Sequence, residues 1–371
     1  MEYMDDANSI ERMLMNKATE NNTPINGSIE LLPLCNMNCN MCYVKLTNEE
    51  MNKVGRLRTV NEWLEIAKEM QEAGVLFLLL TGGEPLLYPG FKELYLELKK
   101  IGMIITINTN GTLINEEWVE FFAKNKPRRI NITLYGSSED VYNELCHYPQ
   151  GYSKVINAIQ LLKNNNIDVK IGGSLTESNK NDIDNILQIG NSLDIPVRID
   201  TYMLPAIRER SKPYNMQSRC HPIEAAQIRI KALKEEMGND LFKQYVKRSL
   251  FEVENIITEA CPGSMTCNAG KCSFTINWQG QMRPCVIMSE PTKDVFEYGF
   301  KKAWDYICKE VRKIKLSSEC NACKMKTICR TCGASALLET GSYEGTPQYM
   351  CDYTLETLRL LRLEENHEEN I

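Results

Sequence analysis

Histidine is almost missing from this 371-residue chain; His147, His221 and His367 are the whole complement. Three scattered imidazoles make no metal constellation, so a histidine-based metal centre is excluded. Cys220-His221 invites a nucleophile reading, but nothing around it supplies an orienting third group, and it reads as surface or hinge sequence. Long apolar runs are missing too. No stretch reaches the ~18 residues that a membrane helix needs, so no membrane partner is expected. Positive charge is not in excess: the formal net charge is −6, which argues against a phosphate-backbone partner and hence against nucleic acid. The first residues, Met1 to Asn22, lack a charged-then-apolar signal pattern, and a cytoplasmic address follows as the expectation. What remains is an ordinary globular composition, 43% hydrophobic and 25% charged, long enough for two or three domains.

Cysteine is what the chain has in plenty: fifteen residues, unevenly placed. In a reducing compartment, clustered cysteines bind metal more often than they pair. Cys35, Cys39 and Cys42 stand at the spacing C-x3-C-x2-C directly after the apolar run Ile29 to Leu34. Cys146 and Cys220 are isolated, and ten more fall between Cys261 and Cys351. Three thiolates can hold three irons of a [4Fe–4S] cluster and leave the fourth iron open to another ligand. The rival is a zinc site with a distant fourth ligand. Met37 and Met41, inside the cysteine loop, read as packing rather than ligands.

Apolar, β-rich runs alternate with helical patterns along the first two hundred or so residues. The expected strands are Ser28–Leu34, Val75–Thr81, Met103–Asn108, Arg129–Tyr135, Asp168–Leu175 and Pro196–Tyr202. The expected helices between them are Val60–Ala73, Gly90–Ile101, Glu116–Asn125, Val155–Asn164 and Lys180–Leu193, with Trp63, Ile66, Ala67 and Met70 at helical spacing. Six such units predict an α/β fold: a parallel sheet with right-handed crossovers, forming an open partial (β/α)6 barrel of TIM-like type, with chemistry at the C-terminal ends of the strands. The cysteine triplet follows the first strand, where that geometry puts chemistry. Further on, Pro205–Arg219 reads as a loop or hinge, Ile223–Met237 and Asp240–Ala260 as helices, and Tyr353–Glu365 as a last helix.

The second strand ends in Thr81-Gly82-Gly83-Glu84-Pro85. Two glycines admit a ligand close to the backbone, and Glu84 offers a carboxylate to an ammonium group. Paired with the cysteine triplet one strand earlier, this segment makes the chain resemble a radical S-adenosylmethionine (SAM) enzyme over residues 26–205. The resemblance implies that Cys35, Cys39 and Cys42 hold the cluster, that SAM chelates the open iron, and that Gly82, Gly83 and Glu84 contact the SAM amino group. It further implies that Tyr43 flanks the adenine. Asn108-Thr109-Asn110-Gly111-Thr112 resembles the segment that meets the ribose, although Asn-Gly is also a common turn. Thr133, in Asn131–Gly136, presents a hydroxyl to the cleft, and Gly172-Gly173-Ser174 could again admit a ligand. Related peptide-modifying enzymes often carry an arginine for the SAM carboxylate where this chain has Leu145-Cys146-His147-Tyr148; Arg198, Arg208 and Lys170 are the substitutes. Tyr135, Asp200, Tyr202 and Tyr214 are candidate relays of a proton or electron by position.

The C-terminal cysteines, Cys267-x12-Gly280-x4-Cys285, then Cys320-x2-Cys323-x5-Cys329-x2-Cys332, then Cys351, resemble the SPASM extension of this family. One gap is a residue shorter than usual, between Cys329 and Cys332. The resemblance implies two auxiliary [4Fe–4S] clusters, one at Cys320, Cys323, Cys329 and Cys351 and one at Cys267, Cys285 and Cys332. Cys261, Cys272 or an open iron completes the latter, and spacing does not choose among them. Cys308 lies in the helical pattern Phe300, Trp304, Ile307, Val311 and reads as core. Two structural zinc sites are the bland alternative for the tail. The expected division is a connector (1–25), the barrel (26–215), a helical linker (216–260), the SPASM region (261–352) and a final helix and tail (353–371).

The function implied is reductive cleavage of SAM to a 5′-deoxyadenosyl radical that oxidises or cross-links a ribosomally made peptide. Formylglycine maturation of sulfatases ranks lower, because Val286 rather than an aspartate follows Cys285. Formation of a peptide-derived cofactor is a further alternative, and an Fe–S electron-transfer or redox-sensing protein is the alternative from another class. The expected partners are a peptide or protein substrate and a reductant such as flavodoxin or ferredoxin. No leader-binding domain of ~80 residues fits ahead of Ser28, so a leader peptide needs the SPASM surface, the Pro205–Arg219 loop or a separate leader-binding protein.

Overall fold

The computed structural model describes residues 9–205, 218–258 and 263–369. Cys261, Arg208, Tyr214, most of the expected Pro205–Arg219 loop and the side chain of His367 lie outside the described residues. Helix α1 (Ser9–Asn21) leads into β1 (Asn26–Glu30), followed by α2 (Asn48–Val54), α3 (Val60–Glu72) and β2 (Phe77–Thr81). Next come α4 (Phe91–Lys100), β3 (Ile104–Thr109), α5 (Glu116–Lys124), β4 (Arg129–Thr133), α6 (Glu139–Cys146) and α7 (Gly151–Asn164). The alternation ends with β5 (Val169–Ser174), α8 (Ile183–Leu193) and β6 (Val197–Asp200). The helices α9 (Pro222–Met237) and α10 (Asn239–Asn255) precede the cysteine-rich part: β7 (Gly263–Ser264), β8 (Ser273–Ile276), β9 (Gln281–Arg283), β10 (Lys293–Asp294), α11 (Val295–Tyr298) and α12 (Phe300–Val311). The chain closes with β11 (Lys315–Leu316), α13 (Ser318–Ala322), α14 (Gly333–Thr340) and α15 (Gln348–Glu369).

Strands β1 to β6 pair parallel in chain order, and β6 does not close back onto the other edge. This is the open (β/α)6 arrangement. On one face, Ile29, Leu80, Ile107, Ile132, Ile171 and Ile199 are buried in a core shared with Trp63, Ile66, Leu94, Phe122 and Ile159 of the crossover helices. On the other face the strands carry Ser28, Thr106, Asn108, Asn131, Thr133 and Lys170, all half-buried. An apolar face seals the sheet from water, and the polar face is left for a ligand. Helix starts follow local chemistry. Thr47 and Thr59 each form a capping box with a glutamate three residues on, which satisfies two donors of the helix end at once.

The cysteine-rich part joins the same sheet. β8 pairs parallel with β1, with Ser28 opposite Thr275, and β9 and β10 extend the edge antiparallel. The Ser28 and Thr275 hydroxyls lie 2.8 Å apart. Two expectations shift. β1 stops at Glu30 rather than Leu34: Pro33 has no N–H to give the ladder, and the apolar Leu31 and Leu32 continue as fully buried loop. The last helix starts at Gln348 rather than Tyr353, so Cys351 sits within its first turns. No helix among the described residues is long and apolar enough to cross a membrane.

Candidate active site and cysteine centres

Cys35, Cys39 and Cys42 lie on the loop that leaves β1, at the C-terminal end of the parallel strands, as the spacing predicts. Their thiols are near enough for the charges of Cys39 and Cys42 to raise Cys35, which burial pushes up to about 12. Each sulfur has a donor aimed at it. Met37 N–H donates to Cys35 Sγ at 3.4 Å and Lys45 N–H to Cys42 Sγ at 3.4 Å. Cys39 is lowered chiefly by a hydrogen bond from the Cys146 thiol, and also by one from Tyr135. Met37 and Met41 are buried beneath the loop, as expected of packing residues. Cys146 is not isolated at all. It ends α6, where its carbonyl accepts Asn38 N–H at 2.9 Å and the Leu145 carbonyl accepts Asn40 N–H at 2.9 Å. A helix C-terminus has carbonyls to spare, and this one uses them to clamp the cysteine loop. His147 Nε2–H adds a 2.8 Å bond to Asn40 Oδ1. The sequence offered no signal for this, because the contact spans about a hundred residues.

The Gly-Gly-Glu segment is organised differently from the expectation. Gly82 and Gly83 do not open space for a ligand on their Cβ side. A Cβ on Gly82 would lie 2.5 Å from Leu32 O, and one on Gly83 2.2 Å from Leu34 O. Gly82 also has φ +136°, a conformation that L-residues avoid. The glycines let the end of β2 press against the backbone that carries the cysteines, with Gly83 N–H donating to Leu32 O at 2.8 Å and Glu84 N–H to Leu34 O at 2.9 Å. Glu84 is fully buried, and burial raises its carboxyl to about 7. Both oxygens are engaged: Oε1 accepts Leu86 N–H at 3.0 Å and Thr109 Oγ1–H at 2.8 Å, and Oε2 accepts Asn110 N–H at 2.8 Å. Glu84 therefore ties the end of β2 to the end of β3. Asn110 is likewise turned inward to Asn36 and Thr112.

Other expected contact residues sit on the polar face. Asn108 and Asn131 pair across β3 and β4, Asn131 Nδ2 donating to Asn108 Oδ1 at 2.7 Å. Asn131 Oδ1 is buried and accepts no hydrogen bond among the described residues, so it fits a ligand's donor. Thr133 lies opposite Gly172 on β5. A Cβ on Gly172 meets nothing within 4 Å, whereas one on Gly173 would strike Ile199 Cδ1 at 2.5 Å. Gly172 thus faces open space and Gly173 faces the core. Tyr43 is half-buried beside Cys42. Arg198 is half-exposed and ion-paired to Asp200 at 3.3 Å.

The C-terminal cysteines form two groups. The nearby Cys320, Cys329 and Cys323 raise Cys351, after burial. Cys332 and Cys267 likewise raise Cys285, again after burial. A cavity of about 440 Å³ is lined by Cys320, Cys323, Cys329, Cys332 and Cys351. A donor set of thiols around such a space suits an iron–sulfur cluster. Cys272, one of the alternatives for the fourth ligand, is not among the thiols whose charges act on Cys285 or Cys351. It is buried with Ala18, Ile25 and Phe77, and its Sγ meets Thr19 Oγ1 at 3.1 Å. The pairing of β8 with β1 draws it under α1. Cys308 is core, as expected. Cys220 is buried rather than surface-exposed and gathers with Glu177 and Glu224; the Lys180 ammonium bridges both carboxylates at 2.9 Å and offsets one of their two charges. Of the relay candidates, Tyr202 bonds Glu339 of α14 at 2.9 Å, and Arg219 bonds the same carboxylate at 2.6 Å.

Residues 29–188 match the model of the Radical SAM superfamily. The chain is 23% identical over 332 residues to the AdoMet-dependent heme synthase of Methanosarcina barkeri, spanning 85% of this chain and 92% of that protein. It is 23% identical over 306 residues to the sporulation killing factor maturation protein SkfB of Bacillus subtilis, spanning 81% of this chain and 68% of the relative. Among solved structures, Streptococcus suis SuiB bound to precursor peptide SuiA superposes with a TM-score of 0.66 at 19% identity, over 92% of this chain and 80% of that one. The likeness to SuiB is one of fold.

Proposed function

This chain carries a radical SAM domain over residues 29–188, and on that premise we propose that it cleaves SAM reductively and uses the resulting radical to modify a ribosomally made peptide. The observation that carries the reading is the placement of Cys35, Cys39 and Cys42 over the C-terminal ends of the parallel strands, braced by Gly82–Glu84. When bound, a [4Fe–4S] cluster and SAM supply one-electron cleavage of the sulfonium to methionine and a 5′-deoxyadenosyl radical. The chain's residues do the rest. The three cysteines hold the metal, and the N–H groups of Met37 and Lys45 stabilise sulfur charge. Asn108, Asn131, Thr133 and the open side of Gly172 orient the ligand on the polar face, while the helix-covered face keeps water out. Gly82, Gly83 and Glu84 present the backbone edge next to the cysteine loop, where the SAM amino group binds. Tyr43 flanks the adenine.

Two auxiliary [4Fe–4S] clusters complete the reading. One is held by Cys320, Cys323, Cys329 and Cys351, and one by Cys267, Cys285 and Cys332 with either Cys261 or an open iron. When bound there, such clusters would supply a site for the surplus electron of an oxidised substrate. Likeness to SkfB and to SuiB, which are respectively a killing-factor maturation protein and a precursor-peptide binder, supports a peptide substrate. A reductant such as flavodoxin or ferredoxin would supply the electron. The test is anaerobic reconstitution followed by SAM turnover with dithionite. About twelve irons per chain, the sum of three cubane clusters, and release of 5′-deoxyadenosine are expected. Iron loading without SAM cleavage would leave only an electron-transfer protein. A second reading, a role in haem synthesis, is favoured by the fuller length over which the heme synthase matches; release of haem rather than a mass change on a peptide would select it.

A further inference from the structure

Around the cysteine loop, three side chains close a ring of hydrogen bonds that nothing in the family resemblance assigns. Thr112 backbone N–H donates to Asn110 Oδ1 at 3.0 Å, which fixes the orientation of the Asn110 amide. Its Nδ2 then donates to Asn36 Oδ1 at 2.9 Å. Asn36 Nδ2 donates to Thr112 Oγ1 at 2.8 Å. The Thr112 hydroxyl returns to Asn110 Oδ1 at 2.7 Å. One N–H of Asn110 is left over, and it points at Cys35 Sγ, 3.7 Å away. Asn110 and Thr112 are buried, and Asn110 N–H is anchored on the buried Glu84. A chain of fixed partners therefore runs from β2 through β3 to the first cysteine.

We infer that Asn110, oriented by Asn36 and Thr112, is a positioning residue whose amide N–H sets the reduction potential of the cluster at Cys35 rather than contacting the SAM ribose. The inference rests on the radical SAM reading. An N–H aimed at a cysteine sulfur favours the more negatively charged, reduced state of an iron–sulfur cluster, so hydrogen bonds to sulfur raise its potential. The side chain has no capacity left for a ribose: both donors and its acceptor are engaged within the protein. The ribose contact is what the resemblance of Asn108–Thr112 implies; the hydrogen bonds of Asn110 point instead to Asn36, Thr112 and Cys35.

The experiment uses the reconstituted full chain with SAM absent. Midpoint potentials are read by electron paramagnetic resonance during a dithionite titration, following the cluster at Cys35, Cys39 and Cys42 in a Cys320→Ala, Cys285→Ala background that removes auxiliary signals. Asn110→Leu keeps the shape and removes the donor; its midpoint moves to more negative potential at wild-type iron content for that background. Thr112→Val breaks the ring but keeps the donor, and it moves the midpoint the same way by less. An unchanged midpoint in Asn110→Leu would overturn the inference; weaker SAM binding by that variant in a separate titration would then favour a ribose contact. If Asn110→Leu loads no iron, Thr112→Val decides alone: a midpoint equal to the parent's overturns the inference. Absence of any reducible cluster in the parent would refute the radical SAM reading instead.

Discussion

Replacing Gly83 by alanine tests whether the Gly-Gly-Glu segment braces the cysteine loop. A Cβ there would stand 2.2 Å from the Leu34 carbonyl oxygen and 2.7 Å from its carbon. An ordinary C···O contact is about 3.3 Å, so the Leu34 peptide must retreat by about 1 Å. That peptide is rigid backbone, it accepts Glu84 N–H at 2.9 Å, and it is bonded directly to Cys35. Overpacking costs about 1–3 kcal/mol, and a strained or lost hydrogen bond adds roughly 1. Gly83→Ala is therefore destabilised by about 2–4 kcal/mol, and its first cysteine is displaced. The assay is urea unfolding of the iron-free protein under nitrogen, followed by iron analysis and 5′-deoxyadenosine release after reconstitution. Gly172→Ala is the control, since its Cβ meets nothing within 4 Å. A Gly83→Ala protein as stable as wild type, with full iron and unchanged SAM cleavage, would refute the reasoning.

Gly172→Ala itself should unfold within about 0.5 kcal/mol of wild type, while its methyl group intrudes on the open face and raises the KM for SAM; Gly173→Ala, which strikes Ile199, should lose stability instead. Cys272→Ala should keep the full iron content, whereas Cys320→Ala and Cys285→Ala should each lose about four irons; iron and sulfide analysis distinguishes them. The buried Glu84 has a carboxyl raised from 4.5 to about 7. Between these pH values the folded chain keeps a proton that the unfolded chain has released, so stability is full at lower pH and falls as pH rises. The difference in unfolding free energy between wild type and Glu84→Gln should shift by on the order of 3 kcal/mol against wild type from pH 4.5 to pH 7; a flat difference would show that the carboxyl is not perturbed.

The alternation of β-rich and amphipathic runs was enough to predict six parallel strands in order, because each segment's periodicity is local. Trp63, Ile66, Ala67 and Met70 fell on the buried face of α3 as their spacing requires. The thiols that stand close in sequence also stand close in the fold, Cys39 and Cys42 beside Cys35 and Cys320, Cys323 and Cys329 beside Cys351. What failed were readings that depended on contacts far apart in the chain. Spacing left Cys272 as one of three ways to complete a cluster, and strand pairing with β1 carries it under α1. Cys146 looked isolated, yet the end of α6 brings it against Cys39. The sequence by itself determined the order of the parallel strands and that the cysteine triplet and Gly82-Gly83-Glu84 follow the ends of the first two. Only the tertiary structure decided what Gly82, Gly83, Glu84 and Asn110 touch, because their partners come from neighbouring strands, and a side chain's role is set by the groups that saturate its hydrogen bonds and fill the space beside its Cβ.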